Sequence, residues 1–260
     1  MRARLALAAL AMAGSALVSF AMPMVSSAAP PVKVTSSNPQ GFTTADTRPG
    51  GSVKFTVDQT APGLGALRLT TDATTAAKAQ YMHAANVALS SVDELGYLTK
   101  QNSASFAGGA ASYQLAVYLQ GPNAGFTTFV YEPYENGTVS PGVWQQWDVD
   151  AGKFWSSRTV TCSGGGVTAG AGGAPFYTLT QIKTMCPSAV AIGFGVNIGT
   201  FNPSYDVEAD LVDFDGKVYD FEPTVAECLN GGWKTFTEPT FTHQGACTNY
   251  ITGTKERPFR

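Results

Sequence analysis

Short runs in which apolar and polar side chains alternate constrain the fold of this chain more than any other feature. The clearest run spans residues 205–211, where Tyr, Val, Ala and Leu alternate with Asp and Glu, and Asp215-Gly216 then makes a two-residue turn into residues 217–221. A period of two places all the apolar side chains on one face of a strand. Comparable runs occur at residues 53–57, 67–70, 112–119, 126–131 and 143–149. Many short strands joined by tight turns predict an all-β sandwich.

One short helix is predicted among these strands. Thr178 and Gln181 have the spacing of a capping box, and Pro187 ends the helical pattern. In the next strand, residues 189–196, bulky apolar residues alternate with Ala and Gly. A strand face that carries only Ala and Gly indicates that another element packs closely against it. The preceding helix is a more natural candidate for this element than a ligand.

Residues 1–28 have the organisation of a signal peptide. A basic start with two arginines, an apolar run over residues 5–20 and small residues at 26–29 fit cleavage after Ala28. The alternative is a membrane anchor, but the apolar run is short for a membrane span and Pro23 follows it. The protein is therefore predicted to be secreted, with no membrane association after cleavage.

The charge of the chain argues against two classes of partner. It has 16 Lys and Arg residues, of which two lie in the predicted signal peptide, and 19 Asp and Glu residues. The remainder is mildly acidic and has no cluster of basic residues. Neither nucleic acid nor an anionic membrane surface is therefore expected as a partner.

The cysteines Cys162, Cys186, Cys228 and Cys247 all follow the predicted cleavage site. An even number of cysteines in an exported protein indicates disulfides. Of the three connectivities, we predict the sequential pairs Cys162–Cys186 and Cys228–Cys247, which close short loops and would each contribute about 3 kcal/mol. Zinc is a poor alternative, because no CxxC pair occurs and the two histidines are far apart in the sequence.

The chain is predicted to consist of one large domain with two smaller flanks. Residues 29–50 are rich in Pro, Ser and Thr and are predicted to be a loose lead-in, and residues 51–223 form the β-sandwich. Residues 224–260 form an appendage closed by the second predicted disulfide. So small a lobe cannot bury Trp233 and Phe236 by itself, so these rings are expected to dock onto the sandwich.

Several motifs resemble those of secreted bacterial β-sandwich proteins whose function is not characterised. They are GALRLTT (65–71), FVYEP (129–133), WQQWD (144–148) and YDFE (219–222). The pattern from Cys228 to Cys247 is similar to a short element at the end of many actinobacterial exported proteins. The resemblance implies a jelly roll of the concanavalin or galactose-binding kind, as in lectins and carbohydrate-binding modules. It implies no catalytic residue.

Residues 131–155 contain the candidate binding residues. Sandwich domains that bind sugars usually stack flat aromatic rings on pyranose faces and bind the hydroxyls with amides and carboxylates. The stretch is rich in both, and our candidate binding residues are Tyr131, Glu132, Tyr134, Trp144 and Gln146. An exposed ring beside polar groups is also common on ordinary sheets, so the pattern alone does not establish a site.

The two tryptophans of the predicted strand 143–149 should lie on opposite faces, because their spacing is odd. Trp147 shares its face with Val143 and Val149 and is predicted to be a core residue. Trp144 shares its face with Gln146 and is predicted to be exposed.

These features favour a non-catalytic protein that binds glycan or cell-envelope polymer. The first alternative is a glycoside hydrolase or lyase with an unrecognised site, and the second is a structural or surface-interaction protein without a small ligand. Glu132 and Glu135 are separated by Pro133, a spacing that does not place paired catalytic carboxylates on one strand face. No G-x-S-x-G nucleophile motif occurs either.

Asp213 is a candidate calcium ligand. On strict alternation it continues the apolar face of residues 205–211, where a carboxylate would be costly without partners. Calcium held by Asp213 and Asp215 would satisfy it. A bulge before the turn, or a strand end already in water, would satisfy it without an ion. No cofactor is expected to be required.

Overall fold

The computed structural model describes residues 29–237 and 239–253, so the predicted signal peptide lies outside the described residues. The strands are β1 (Val32–Val34), β2 (Phe42–Thr43), β3 (Gly51–Val57), β4 (Gly65–Thr71), β5 (Ala79–Ala88), β6 (Leu95–Ser103), β7 (Ser112–Tyr118), β8 (Phe126–Tyr131), β9 (Gln145–Asp148), β10 (Lys153–Ser156), β11 (Val160–Cys162), β12 (Gly165–Val167), β13 (Phe176–Thr178), β14 (Val190–Ile198), β15 (Asp206–Phe214) and β16 (Lys217–Phe221). The helices are α1 (Pro133–Asn136), α2 (Leu179–Met185), α3 (Val225–Cys228) and α4 (Gln244–Thr252), with 3-10 segments at Leu89–Ser91 and Leu229–Thr235.

Sheet 1 is built around β15, whose two edges pair with different strands. Along one edge β15 pairs with β6, which also pairs with β9. Along the other edge, the first part of β15 pairs with β4 and its last part with β16. β3 pairs with β4, and β1 runs parallel to β16. A bulge between Asp210 and Asp213, where Leu211 has φ +44°, interrupts the β6 ladder.

Sheet 2 is antiparallel and has the order β13-β10-β8-β7-β14-β5-β2. Its inner face packs against the inner face of sheet 1 and forms one core. Phe194 of β14 stacks on Phe214 of β15 with ring centroids 4.2 Å apart, and Phe42 of β2 contacts the rings of Tyr219 and Phe221 on β16. Such pairs contribute about 0.5–1.5 kcal/mol beyond the area they bury. Two packed sheets with short helices confirm the predicted all-β jelly-roll sandwich.

The segment predicted to be a loose lead-in is part of the sandwich. Residues 29–50 contain β1, which pairs with β16, and β2, which pairs with β5. Val34 and Phe42 are fully buried in the core. The prediction was wrong because strands of two or three residues are too short to display an alternation of apolar and polar positions.

The predicted strand at 143–149 is shorter than expected. Only Gln145–Asp148 forms β9, which pairs with β6. Trp147 lies in the core, as its position predicts, and its indole nitrogen donates a hydrogen bond to Thr99. Trp144 precedes the strand, and Val143 is exposed instead of sharing the buried face.

Helix α2 confirms the predicted capping box. The Thr178 hydroxyl accepts from the Gln181 backbone N–H, and the Gln181 side chain accepts from the Thr178 N–H. Leu179 and Ile182 lie in the core. Among the helices of residues 29–237 and 239–253, none has the length and apolar character needed to cross a membrane.

The two disulfides have the predicted pairing, Cys162–Cys186 and Cys228–Cys247. The second one closes the appendage, in which α3, α4 and the 3-10 segment Leu229–Thr235 pack together. Phe236 and Ile251 of this appendage pack with Val57 of β3 in a small separate cluster. The appendage thus docks onto the sandwich, although its helices were not predicted from the sequence.

Candidate functional site

The outer face of sheet 2 carries a row of residues that runs across four neighbouring strands. Trp155 of β10 pairs with Val130, Val130 with Gln114, and Gln114 with Gly195 of β14. The preceding or following residue in each strand points to the core: Phe154, Phe129, Leu115 and Phe194. Alternation therefore places the row from Trp155 to Gly195 on the face away from sheet 1.

The bare face of β14 lies on this outer face, and the predicted helical cover is not the reason for its small residues. Helix α2 packs against β12 and β13 instead. Gly193 pairs with Ala116 and Ala84, and Gly195 has φ +154°. A Cβ atom on Gly195 would lie 2.2 Å from the Tyr81 carbonyl oxygen, so only glycine fits there. These small residues do not line the groove on this face, to which β14 contributes its last two residues.

A groove of about 650 Å³ lies on this face, and we call it the Trp155 groove. Four aromatic residues line it: Tyr134, Trp155 and Phe201, whose rings are at least partly exposed, and Tyr205, which is 5% exposed and packs into the core. Tyr134 lies on α1, where its hydroxyl donates to the Gly172 carbonyl at 3.1 Å and its ring meets Phe106 edge-on. Trp155 comes from β10, and the other two rings come from the loop between β14 and β15.

Phe201 is the most exposed of these rings. Its exposed fraction is 80%, and its backbone has φ +67°, a region that bulky residues seldom adopt. The Phe201 N–H donates to the Thr75 carbonyl at 2.8 Å, which holds the loop in this conformation. A strained backbone that presents a large apolar ring to water indicates a contact surface.

Primary amides and hydroxyl groups lie between the rings. Asn197 donates to Gln80, Gln114 donates to Ser112, and Asn202 donates to the Gly199 carbonyl. Asn197, Gln114 and Asn202 all line the Trp155 groove. A primary amide has two donor hydrogens and two acceptor lone pairs, so the partly exposed Gln114 and Asn202 retain capacity for a ligand hydroxyl. Asn197 is 4% exposed and supports the groove from below.

Glu132 is the carboxyl group of the Trp155 groove. Among the described residues that line the groove, no other Asp or Glu is present. Burial, with a smaller contribution from the nearby Glu135, raises the pKa of Glu132 to about 8. The indole N–H of Trp155 favours the ionised form but does not complete a hydrogen bond. At neutral pH this carboxyl is therefore largely protonated and can donate as well as accept a hydrogen bond.

The structure separates the five binding residues predicted from the sequence. Glu132 and Tyr134 line the Trp155 groove, whereas Trp144 and Gln146 lie on the outer face of sheet 1. Tyr131 was wrongly placed on a binding face: it is buried in the core, 2% exposed, beside Tyr97 and Trp147. Successive side chains of a strand leave the backbone on opposite sides. Glu132 faces the groove, so Tyr131, the residue before it, faces the core.

Trp144 and Gln146 belong to a second groove, of about 770 Å³, that we call the Trp144 groove. The floor of the Trp144 groove is more apolar than that of the Trp155 groove. It includes the partly exposed side chains of Leu98, Leu211 and Val218. The Trp144 indole nitrogen donates to Asp58 at 2.9 Å, so the ring is held in place by a charged acceptor.

Asp58 connects the Trp144 groove to a buried polar network. Its carboxylate accepts from Lys100 at 2.7 Å and from the backbone and hydroxyl of Thr60. Burial alone would raise the pKa of Asp58, but the hydrogen bonds from Lys100 and Thr60 lower it to about 2. Four more buried acidic side chains lie on the outer side of sheet 1: Glu208, Asp210, Asp220 and Glu222.

The bulge in β15 determines the position of Asp213. Val212 is buried, and Asp213 lines the Trp144 groove instead of the core. Burial raises the pKa of Asp213, and one of its carboxyl oxygens has no hydrogen-bond partner. Asp215 occupies the turn, where it accepts from the Asp93 N–H. Within the described residues, no three His, Cys, Asp or Glu side chains converge to hold a metal ion, and calcium at Asp213 and Asp215 stays a prediction.

Comparisons with known proteins give distant likenesses. No protein-family profile and no curated protein matches the sequence. The chain is similar to the family 11 carbohydrate-binding module of Clostridium thermocellum in complex with a β-1,3-1,4-mixed-linked tetrasaccharide, with 12% identity over 69% of this chain and 91% of the module and a TM-score of 0.40. It is similar to the CBM22-1 xylan-binding domain from Paenibacillus barcinonensis, with 14% identity over 69% of this chain and 86% of that domain and a TM-score of 0.33. Likenesses this distant assign no ligand to either groove.

Trp155, Phe201 and Tyr205 line the groove but were not among the residues predicted to bind. Burial alternates along β10, with Phe154 in the core and Trp155 on the outer face, but the sequence Lys-Phe-Trp-Ser does not show which of the two rings is buried. Phe201 has no local signal, because its exposure depends on the path of a loop.

Proposed function

We propose that the protein binds a polysaccharide in the Trp155 groove and does not cleave it. The observation that carries this proposal is the presence of three exposed or partly exposed aromatic rings, Tyr134, Trp155 and Phe201, together with amides and a largely neutral carboxyl in one open groove. Rings stack on the apolar faces of sugars, and amides pair with their hydroxyls. The volume of about 650 Å³ lies within the usual range for ligand sites.

The Trp155 groove supports binding better than hydrolysis. Glycoside hydrolases generally need two carboxyl groups, one as acid and one as base or nucleophile. Glu132 has the raised pKa of a proton donor, but the described lining residues offer it no second carboxylate. Glu135 pairs with Lys153 at 3.8 Å instead.

Phe201→Ala tests the proposed binding groove. We expect its affinity for the bound polysaccharide to fall roughly tenfold, as for loss of a ring that contributes about 1.4 kcal/mol. The folded protein should lose no stability, because the ring is exposed and its backbone strained. Affinity electrophoresis over a panel of plant, fungal and bacterial polysaccharides, with thermal melting in parallel, measures both quantities.

Trp144→Ala is the matched control, because it removes an aromatic ring from the opposite sheet. If the Trp155 groove binds, this variant keeps its retention on the polymer. Loss of retention in Trp144→Ala with full retention in Phe201→Ala would move binding to the Trp144 groove. No retention of the natural protein on any polymer would contradict the proposal and favour a surface-interaction protein without a glycan ligand.

A hydrolase or lyase is the second candidate, and the raised pKa of Glu132 is the observation that favours it. We expect no release of reducing or unsaturated ends from any polymer in the panel. Turnover that Glu132→Gln abolishes, with binding retained, would contradict a purely binding role. Reducing-end and ultraviolet absorbance assays on the natural protein and on Glu132→Gln distinguish the two functions.

We further propose that the protein acts outside the cytoplasm. Two disulfides and no reduced cysteine among the described residues support an oxidising compartment. The predicted signal peptide supports export, and the similarity of the C-terminal pattern to actinobacterial exported proteins stays an expectation from the sequence. Calcium at Asp213 and Asp215 also stays an expectation, and a melting temperature unchanged by calcium and by chelator would argue against it.

A further inference from the structure

Two basic side chains, Arg48 and Lys78, line the Trp155 groove. Their backbones are joined, because the Arg48 N–H donates to the Lys78 carbonyl at 2.9 Å. A Cβ atom on Gly51 would lie 1.9 Å from that carbonyl oxygen, so glycine allows the Arg48 loop to approach β5 closely. The backbones from which the two basic side chains extend are therefore held next to each other.

These cations already hold a carboxylate. Asp46 lies between them, with Arg48 Nε 3.5 Å from Asp46 Oδ1 and the Lys78 ammonium on Oδ2. Asp46 is 52% exposed and Arg48 is 50% exposed, and Asp46 does not line the groove itself. The Arg48–Asp46 pair is exposed on both sides and contributes about 0–1 kcal/mol to stability, so a carboxylate from a ligand can displace or join Asp46 there. Lys78 is 16% exposed, so water screens its pair with Asp46 less.

The local charge of the groove differs from that of the chain. The chain carries a formal net charge of −3, but Arg48 and Lys78 together with their partner Asp46 carry a net charge of +1, and Glu132 is largely neutral at pH 7. A planar guanidinium pairs with a planar carboxylate through two parallel hydrogen bonds. The groove thus combines rings that stack on sugars with cations that match a carboxylate.

We infer that the polysaccharide bound in the Trp155 groove carries uronic acid residues, whose carboxylates pair with Arg48 and Lys78. This inference rests on the proposed function, because it specifies the ligand of the same groove. A ligand carboxylate near these cations gains attraction that a neutral sugar lacks, and salt screens that attraction.

Matched polymer pairs test the inference. Polygalacturonate, alginate and hyaluronan are each compared with their methyl-esterified forms, which keep the sugar chain and lose the charge. For every pair that the protein binds, we expect affinity for the acid form to be about tenfold higher at low ionic strength. We expect the ratio to fall towards one at high salt.

Variants assign the preference to the two cations. The double variant Arg48→Gln/Lys78→Gln should bring the acid-to-ester affinity ratio close to one, and Asp46→Asn, which frees both cations, should raise it. Lys54→Gln/Lys217→Gln removes the same charge from exposed sites outside the groove and should keep the ratio of the natural protein.

The outcomes separate the inference from the proposed function. Equal affinity for acid and ester forms, or a ratio that the Arg48→Gln/Lys78→Gln variant leaves unchanged, overturns the inference and leaves glycan binding intact. Retention on no acidic, esterified or neutral polymer overturns both. Loss of retention on every polymer in Trp155→Ala, with the ratio intact in Lys54→Gln/Lys217→Gln, supports both.

Discussion

Replacing Lys100 with methionine is expected to lower the free energy of unfolding by about 3–5 kcal/mol. Lys100 is 4% exposed, and its ammonium nitrogen lies 2.7 Å from Asp58 Oδ2. Methionine fills most of the same space but leaves the Asp58 carboxylate buried without its cation. The loss of stability is larger because Lys100 also offsets the charge of the neighbouring buried carboxyl Glu208. Urea denaturation at pH 7 measures the effect.

A second substitution identifies the cause of the loss. In the Lys100→Met background, Asp58→Asn removes the uncompensated charge and should restore part of the lost stability. Lys183→Met is the control, because its partner Asp93 is 80% exposed, and it should change stability by less than about 1 kcal/mol. Equal losses in Lys100→Met and Lys183→Met would show that burial of the ion pair has no energetic consequence.

The features that could be predicted from the sequence are those that depend on neighbouring residues. The capping box of Thr178 and Gln181 defines the start of α2, and the Asp215-Gly216 turn defines the hairpin of β15 and β16. The even number of cysteines and their spacing predicted both disulfides. Each of these signals lies within a few residues or within one short loop, where chain geometry leaves few alternatives.

The parts that could not be predicted depend on bulges and on distant strands. A bulge at Ile192 places Ala191 and Phe194 in the core, although strict alternation puts them on opposite faces. The bulge at Leu211 moves Asp213 out of the core in the same way. The Trp155 groove combines strands β7, β8, β10 and β14 with several connecting segments, and no local pattern shows that these segments meet.

The buried carboxyls of sheet 1 have a consequence for the pH dependence of stability. Burial raises the pKa of Glu208 and of Glu222 to about 7 and that of Asp220 to about 6, against ordinary values of 4.5 and 3.8. Burial and the neighbouring Asp220 raise the pKa of Asp210 as well, and one oxygen of each of these two carboxyls has no hydrogen-bond partner. Lys33 lowers the pKa of Asp220 and Glu222, but burial outweighs it.

The direction of the pH effect follows from these shifts. A carboxyl whose pKa is raised in the folded state holds its proton more tightly there than in the unfolded chain. Its contribution to stability is therefore complete below about pH 4 and is lost as the pH rises towards 7. Asp58 acts in the opposite direction, because its pKa is lowered to about 2, and its contribution is lost as pH falls from about 4 towards 2. Stability should therefore be greatest near pH 4–5.

We expect the free energy of unfolding to be lower at pH 8 than at pH 5 by on the order of 3 kcal/mol or more, since each pKa unit corresponds to about 1.4 kcal/mol. Glu208→Gln keeps the shape of the protonated side chain and can still pair with Asn102, which donates to Glu208 at 3.0 Å. This variant should be more stable than the natural protein at pH 8 and show a flatter pH profile. The exposed Glu94→Gln is the control and should leave the profile unchanged. Urea denaturation from pH 4 to pH 9 measures the free energy of unfolding. A free energy of unfolding that rises from pH 5 to pH 8 would mean that these carboxyls are ionised in the folded protein and that their charge is compensated there.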